Sequence, residues 1–151
     1  MKLAYSSNVY LNFPIEETIA RIAALGYAGL ELLADVPHAW PAGLLPERKQ
    51  AIRECLRQHG LAISNVNAFM MNAVADPRQP YWHPSWIEPD GHYRAIRREH
   101  TRRALALAKE LGGPSIQTEP GGPPGSVWID GAPSSFASAS VRLVCSRRIA
   151  R

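Results

Sequence analysis

The end of a helix and the strand that follows it can be read from residues 22–33, Ile-Ala-Ala-Leu-Gly-Tyr-Ala-Gly-Leu-Glu-Leu-Leu. The apolar residues up to this point recur at the spacing of one helical face: Ile15, Ile19, Ile22 and Leu25. This periodicity predicts a helix over about Pro14–Leu25. Gly26 then stands where a left-handed cap needs no Cβ, and the apolar run Gly29–Leu33 predicts a buried strand.

The same order of elements recurs along the chain. Two further helices are predicted over about Pro46–His59 and His92–Leu111, and each is followed by a capping glycine, as the first one is. The predicted strands are Lys2–Ser6, Gly29–Leu33, Ala62–Val66 and Ser115–Thr118. Alternating strands and helices predict an α/β fold with a parallel sheet and right-handed crossovers.

Length and composition bound the class of protein. A chain of 151 residues predicts one domain, and 46% hydrophobic with 20% charged residues excludes disordered and fibrous classes. No apolar run reaches the length of a membrane span, and the first residues lack the apolar segment of a secretory signal. The two cysteines match no metal or redox spacing. We therefore expect a reduced, cytoplasmic protein with no membrane partner.

Positive charge is concentrated near the carboxyl terminus. Residues 1–122 carry 13 basic and 12 acidic side chains, whereas residues 123–151 carry four basic and one acidic. The five arginines between positions 94 and 103 cover a broad arc of the third helix, which is typical of a solvated face. A basic module that binds nucleic acid is the alternative, but the near-neutral first 122 residues argue against such a partner.

The last segment does not continue the repeat. We divide the chain into residues 1–122, with strand and helix patterns, and residues 123–151, an irregular basic tail without helical periodicity. The fourth strand should be followed by a fourth helix, and none is visible. One interpretation is a disordered extension. The other is an out-of-frame ending, because one codon choice for residues 127–136 encodes a helix-like start in another frame.

Four segments carry a family resemblance. They are Lys2-Leu-Ala-Tyr-Ser-Ser-Asn8, Ile22-Ala-Ala-Leu-Gly-Tyr-Ala-Gly-Leu-Glu-Leu32, Gly60-Leu-Ala-Ile-Ser-Asn-Val-Asn67 and Gln117-Thr-Glu-Pro-Gly-Gly122. Residues 1–122 resemble the N-terminal half of the sugar phosphate isomerase/epimerase family, the xylose isomerase-like TIM barrels. A complete (β/α)₈ barrel needs ~250 residues. The resemblance therefore implies half of such a barrel, with four parallel strands and three helices.

The resemblance also implies a chemistry. Intact members isomerise or epimerise a sugar or polyol by proton transfer next to a carbonyl, with a divalent metal (Mn, Mg, Co or Zn) held by Glu, Asp, His and Glu on later strands. Those strands are not present here, so we expect no metal bound by this chain and no activity of the chain alone. Metal-dependent hydrolysis at abasic DNA occurs in the same superfamily, but it requires several histidines at strand ends, and the four strand ends here have none.

Candidate substrate-binding residues are those that the fold would bring to the carboxyl ends of the strands. Asn8, Asn67 and Glu119 follow predicted strands, and His83 lies in the long loop between residues 67 and 91. Three of these four residues have a plainer interpretation. Asn67 could complete a turn, Glu119 could be a solvated turn residue, and His83 could be an ordinary loop histidine.

Two further expectations concern charge and assembly. Glu31 lies inside the second strand, and a buried carboxylate needs a partner, for which Lys2 on the neighbouring strand is the candidate. A half-barrel would also expose unpaired strand edges. The alternative to an enzyme fragment is therefore a non-enzymatic half-barrel that associates with a second copy or binds a partner protein.

Overall fold

The computed structural model describes residues 2–70, 83–118 and 141–144. Its strands are β1 (Ala4–Ser6), β2 (Gly29–Leu33), β3 (Ala62–Asn67), β4 (Ser115–Thr118) and β5 (Val141–Val144). Its α-helices are α1 (Ile15–Ala24), α2 (Pro46–Gln58) and α3 (Gly91–Leu111), and a short 3₁₀ helix, Ser7–Tyr10, follows β1. No helix in these ranges is long and apolar enough to cross a membrane.

The strands form one sheet in the order β1-β2-β3-β4-β5, in which the first four are parallel. The four predicted parallel strands and three helices are therefore confirmed. The fifth strand, β5, is antiparallel to β4 and lies within residues 123–151, for which we predicted irregular structure. Its four residues are too few for periodicity to reveal, and the rest of that tail lies outside the described residues.

The hydrophobic core lies between the three helices and one face of the sheet. It joins helix residues such as Ile19, Ile52 and Leu107 to strand residues such as Leu30 and Ile116, all almost fully buried. Side chains of alternate strand residues point to opposite faces. The helices therefore cover one face and leave the other to the polar residues of the strands.

The helix ends follow the predicted chemistry with one difference. The three glycines that follow the helices have positive φ: Gly26, Gly60 and Gly112. In α3, Gly112 is the left-handed cap, and at the other end the Asp90 side chain accepts a hydrogen bond from His92 N. Pro14 is the residue that caps α1 in extended conformation and not the first helical residue. These ends fix the direction of each helix against the sheet.

Candidate functional site

A carboxylate of β2, that of Glu31, lies on the sheet face that the helices do not cover. Ser6 Oγ donates a hydrogen bond to Glu31 Oε1 over 2.8 Å, Asn65 Nδ2 donates to Oε2 over 3.0 Å, and Asn67 Nδ2 donates to Oε1 over 3.3 Å. The predicted pairing with Lys2 is wrong, because neutral donors from both neighbouring strands hold this carboxylate. We call Ser6, Glu31, Asn65 and Asn67 the carboxylate cluster.

The carboxylate cluster reaches two further parts of the sheet. Asn65 Oδ1 accepts a hydrogen bond from Ser115 Oγ over 2.9 Å, which connects the cluster to β4. Asn67 Oδ1 accepts a hydrogen bond from Phe69 N over 3.0 Å, the contact of an asparagine that completes a turn. Asn67 thus makes the turn contact and also belongs to the polar cluster. Because Asn65 and Asn67 are both buried, their amide groups are fixed in orientation.

Asn8 lies two residues beyond the end of β1, in the 3₁₀ helix rather than at the strand terminus. Its backbone N–H donates to Ser6 Oγ over 3.3 Å. Its side-chain Oδ1 is buried and has no hydrogen-bond partner among the described residues. The structure therefore places Asn8 next to the carboxylate cluster in sequence and connects the two through Ser6.

His38 connects the loops after β1 and β2. Ser7 Oγ accepts a hydrogen bond from Leu33 N over 2.9 Å. The hydroxyl of Ser7 can in turn donate its proton to His38 Nδ1, which lies 3.1 Å away. His38 Nε2 lies 3.2 Å from the carbonyl oxygen of Phe13, so this nitrogen carries the ring proton. Burial lowers the pKa of His38, which keeps the ring neutral. We infer that it holds the loops together.

His100 is the second neutral buried histidine. Its Nε2 lies 3.2 Å from the carbonyl oxygen of Ala68, directly after β3, and its ring stacks on Trp40 at 4.9 Å between centroids. Burial, and then the positive charge of Arg97, lower the pKa of His100 to about 4. This side chain therefore ties α3 to the end of β3 and to the loop after β2.

His83 differs from both. Its Nδ1 lies 3.2 Å from Glu88 Oε1, which also accepts a hydrogen bond from Ser85 N over 3.1 Å. The ring packs edge-on against Tyr93 at 4.6 Å between centroids. His83 is only 8% exposed, and its Nε2 has no hydrogen-bond partner among the described residues. The neighbouring residues thus hold the His83 ring in place, while its Nε2 remains able to form a hydrogen bond with another group.

The arginines of α3 have several roles. Arg97 is buried, and its Nε donates to the carbonyl oxygen of Pro84 over 2.6 Å, so the expectation of a solvated face is wrong at this position. Arg94 donates to the carbonyl oxygens of Glu88 and Pro89. The remaining three arginines, Arg98, Arg102 and Arg103, are exposed. Arg102 and Arg103 each form an ion pair with Glu99. Two arginines therefore anchor the segment that carries His83, because its carbonyl groups face α3.

The predicted site residues are partly brought together. Asn67 joins the carboxylate cluster and Asn8 is connected to it, whereas His83 belongs to a separate arrangement with Glu88. Glu119 lies outside the described residues. Within the described ranges no three His, Cys, Asp or Glu side chains form a group that could hold a metal ion. We therefore assign no metal ligand to the described residues and derive no step through a metal.

Sequence reasoning missed several contributors to this edge of the sheet: Ser6, Asn65, Glu88 and Arg97. The pattern Asn-x-Asn at the end of β3 was a usable signal for Asn65, because residues two apart in a strand share a face. A histidine followed by a glutamate five residues later, just before a helix, was a weaker signal for Glu88. Ser6 and Arg97 leave no such mark in the sequence.

Comparison with known proteins agrees with this architecture. The family model described as xylose isomerase-like TIM barrel matches residues 19–146. A crystal structure of an AP endonuclease, family 2, from Brucella melitensis superposes with a TM-score of 0.51 at 21% identity, over 80% of this chain and 42% of that one. This chain therefore spans less than half the length of that protein, and the likeness shows the fold alone. The search of curated proteins gave no match. Since the family model covers most of the sequence, the chain belongs to the xylose isomerase-like TIM barrel family.

Proposed function

We propose that this chain binds a sugar or polyol at the carboxyl ends of β1–β4, as the N-terminal half of a cytoplasmic sugar isomerase or epimerase barrel. The observation that carries the proposal is the carboxylate cluster, where Glu31 is held by three neutral donors on the sheet face that the helices leave uncovered. In barrels of this kind that face is the interior, and ligands bind at the carboxyl ends of its strands.

The chemistry of the cluster suits hydroxyl groups. Amides and carboxylates together offer donors and acceptors at fixed positions, and each sugar hydroxyl can act as both. Because Asn67 is held on both sides, by Glu31 and by Phe69 N, little rotamer freedom remains to be lost on binding. Glu119 directly follows β4, and we propose it as a further hydroxyl-binding carboxylate.

We infer the reaction class from the family alone. Isomerisation or epimerisation through proton transfer next to a carbonyl is the proposed reaction of the intact barrel, with a divalent metal as its cofactor. We assign no step of that reaction to the described residues. The expectation for the chain by itself is binding without turnover, and the two properties can be measured on the same sample.

The test is a titration of the ¹⁵N-labelled full chain with D-xylose, D-fructose and myo-inositol, followed by amide chemical shifts. We expect saturable shifts at the carboxyl ends of the strands. Asn67→Ala should weaken binding about three- to tenfold, the equivalent of one hydrogen bond. Asn12→Ala, the same change at an exposed turn residue, is the matched control. If no sugar or polyol gives saturable shifts, the proposal is wrong.

The alternative, a half-barrel that associates with a second copy, is favoured by one observation. Within the described residues β1 pairs on one side only, and two apolar side chains that flank it in sequence are exposed, Leu3 by 56% and Val9 by 57%. Sedimentation of the chain over a range of concentrations tests this candidate. Leu3→Lys should shift a dimer to monomer because a lysine blocks edge pairing, whereas Leu25→Lys, at a similarly exposed position that caps α1, should not.

A further inference from the structure

Two of the proposed site residues carry a buried polar atom without a hydrogen-bond partner in the described part of the chain. These atoms are Asn8 Oδ1 and His83 Nε2. Buried polar atoms in folded proteins almost always have a partner, so each exception calls for an explanation. The two residues lie after different strands of a parallel sheet, whose carboxyl ends meet at one edge.

The role of His83 Nε2 follows from its neighbour. A carboxylate can only accept a hydrogen bond, so the ring proton is on Nδ1, 3.2 Å from Glu88 Oε1. In the neutral ring with its proton on Nδ1, Nε2 has a lone pair and can accept a hydrogen bond. Glu88 is itself held by Ser85 N, and therefore acts as a positioning residue for the ring.

The position of His83 follows from α3. His100 on this helix donates to Ala68 O, immediately after β3. Arg97, three residues earlier and so on the same side of the helix, donates to Pro84 O. One helical turn therefore separates the contact with the strand end from the contact that holds the residue next to His83. This arrangement places the His83 segment at the carboxyl edge of the sheet.

We infer that the ligand donates hydroxyl protons to Asn8 Oδ1 and His83 Nε2, and that these two positions receive hydroxyl groups rather than a phosphate group. The inference rests on the proposed function and names the chemical class at this part of the site. Both atoms present lone pairs. A phosphate carries nearly two negative charges at neutral pH and offers acceptor oxygens, so it would meet these atoms with repulsion.

The test uses the full chain with ¹⁵N-labelled histidines. We expect the resonance of His83 Nε2 to move when D-xylose, D-fructose or myo-inositol binds. Inorganic phosphate should leave it in place. Glu88→Gln should weaken the preference for the Nδ1-protonated form and with it the response of the His83 Nε2 resonance to the polyols, a loss that a purely structural contact would not produce.

Variants test the two acceptors separately. His83→Ala and Asn8→Ala should each weaken polyol binding about three- to tenfold. Asn8→Asp keeps an acceptor oxygen and should restore binding, whereas it would fail if Asn8 acted through its amide donor. His92→Ala, an exposed histidine at the start of α3, is the matched control. If His83→Ala does not fold, the comparison of Asn8→Ala with Asn8→Asp decides whether the ligand needs an acceptor at this position.

Each other outcome has a defined meaning. If Asn8→Ala and His83→Ala bind polyols normally while Asn67→Ala is weakened, this inference is overturned and the proposed function stands. If inorganic phosphate moves the His83 Nε2 resonance more than the polyols do, the inference is overturned in the same way. If no polyol binds to the wild-type chain, both are overturned.

Discussion

The two faces of the sheet are stabilised by different interactions. On the helix-covered face, residues such as Ile19, Leu30 and Ile116 need only to be apolar and of suitable size. On the other face, Glu31 is held in a partly buried network in which each donor meets a particular acceptor. The first kind of packing tolerates exchange among apolar residues, whereas the second depends on the identity of each group.

The largest effect is expected on the helix-covered face. Ile19 is fully buried, and Ile19→Ala should lower the free energy of unfolding by about 2–5 kcal/mol, because it removes buried methyl groups and leaves a cavity. Urea denaturation measures this change. Leu25→Ala, at the C-terminal cap of the same helix and 62% exposed, should stay within about 0.5 kcal/mol of wild type. Equal losses would mean that the core is not where the structure places it.

The free energy of unfolding should depend on pH through His100, which ties α3 to the end of β3. The pKa of His100 is lowered to about 4 in the folded chain, so the unfolded chain binds more protons between about pH 6.5 and pH 4. The stability that comes from this difference, up to about 3 kcal/mol in the free energy of unfolding, is therefore complete above pH 6.5 and is lost as the pH falls toward 4. Urea midpoints from pH 4 to 8 test it, and His100→Gln should flatten the profile. An unchanged profile in the variant would assign the pH dependence elsewhere, with His38 as the next candidate.

On the uncovered face the expected effect is smaller but more specific. Glu31→Ala leaves the amide groups of Asn65 and Asn67 without their acceptor and should cost about 1–3 kcal/mol in urea denaturation. Glu31→Gln keeps one acceptor oxygen and should lose less. If Glu31→Leu is as stable as wild type, the network does not need its charge, and the contrast between the faces is weaker than we argue.

The smallest effect concerns the end of α3 that supports the His83 segment. Asp90→Ala removes the side-chain cap and should cost about 1 kcal/mol. Asp90→Ser keeps a capping oxygen and should be close to wild type. Thermal denaturation of the pair measures the difference. A loss in Asp90→Ala with none in Asp90→Ser would show that the cap, and not the charge, stabilises this end.

Much of the fold could be predicted because its signals are local. The apolar spacing of α1, the glycine that follows it and the apolar run of β2 lie within twenty residues. The contacts of Arg97 could not be predicted in this way, since a helical periodicity does not say that a nearby carbonyl group will hold one arginine inside. Likewise the partners of Glu31 come from two other strands, so their identity depends on register rather than on neighbouring residues.

The register shift between β2 and β3 determines which side chains of β3 face the hydrophobic core and which face the carboxylate cluster. Leu30 is opposite Ile63, but Glu31 is opposite Asn65, so Ser64 is passed over. This single extra residue changes the phase of the alternation. If Ser64 were instead paired regularly opposite Glu31, Asn65 would turn toward the helices and Val66 would leave the core. Deletion of Ser64 should keep Asn65 and Val66 on their present sides of the strand, because Asn65 would then follow Ile63 in regular alternation.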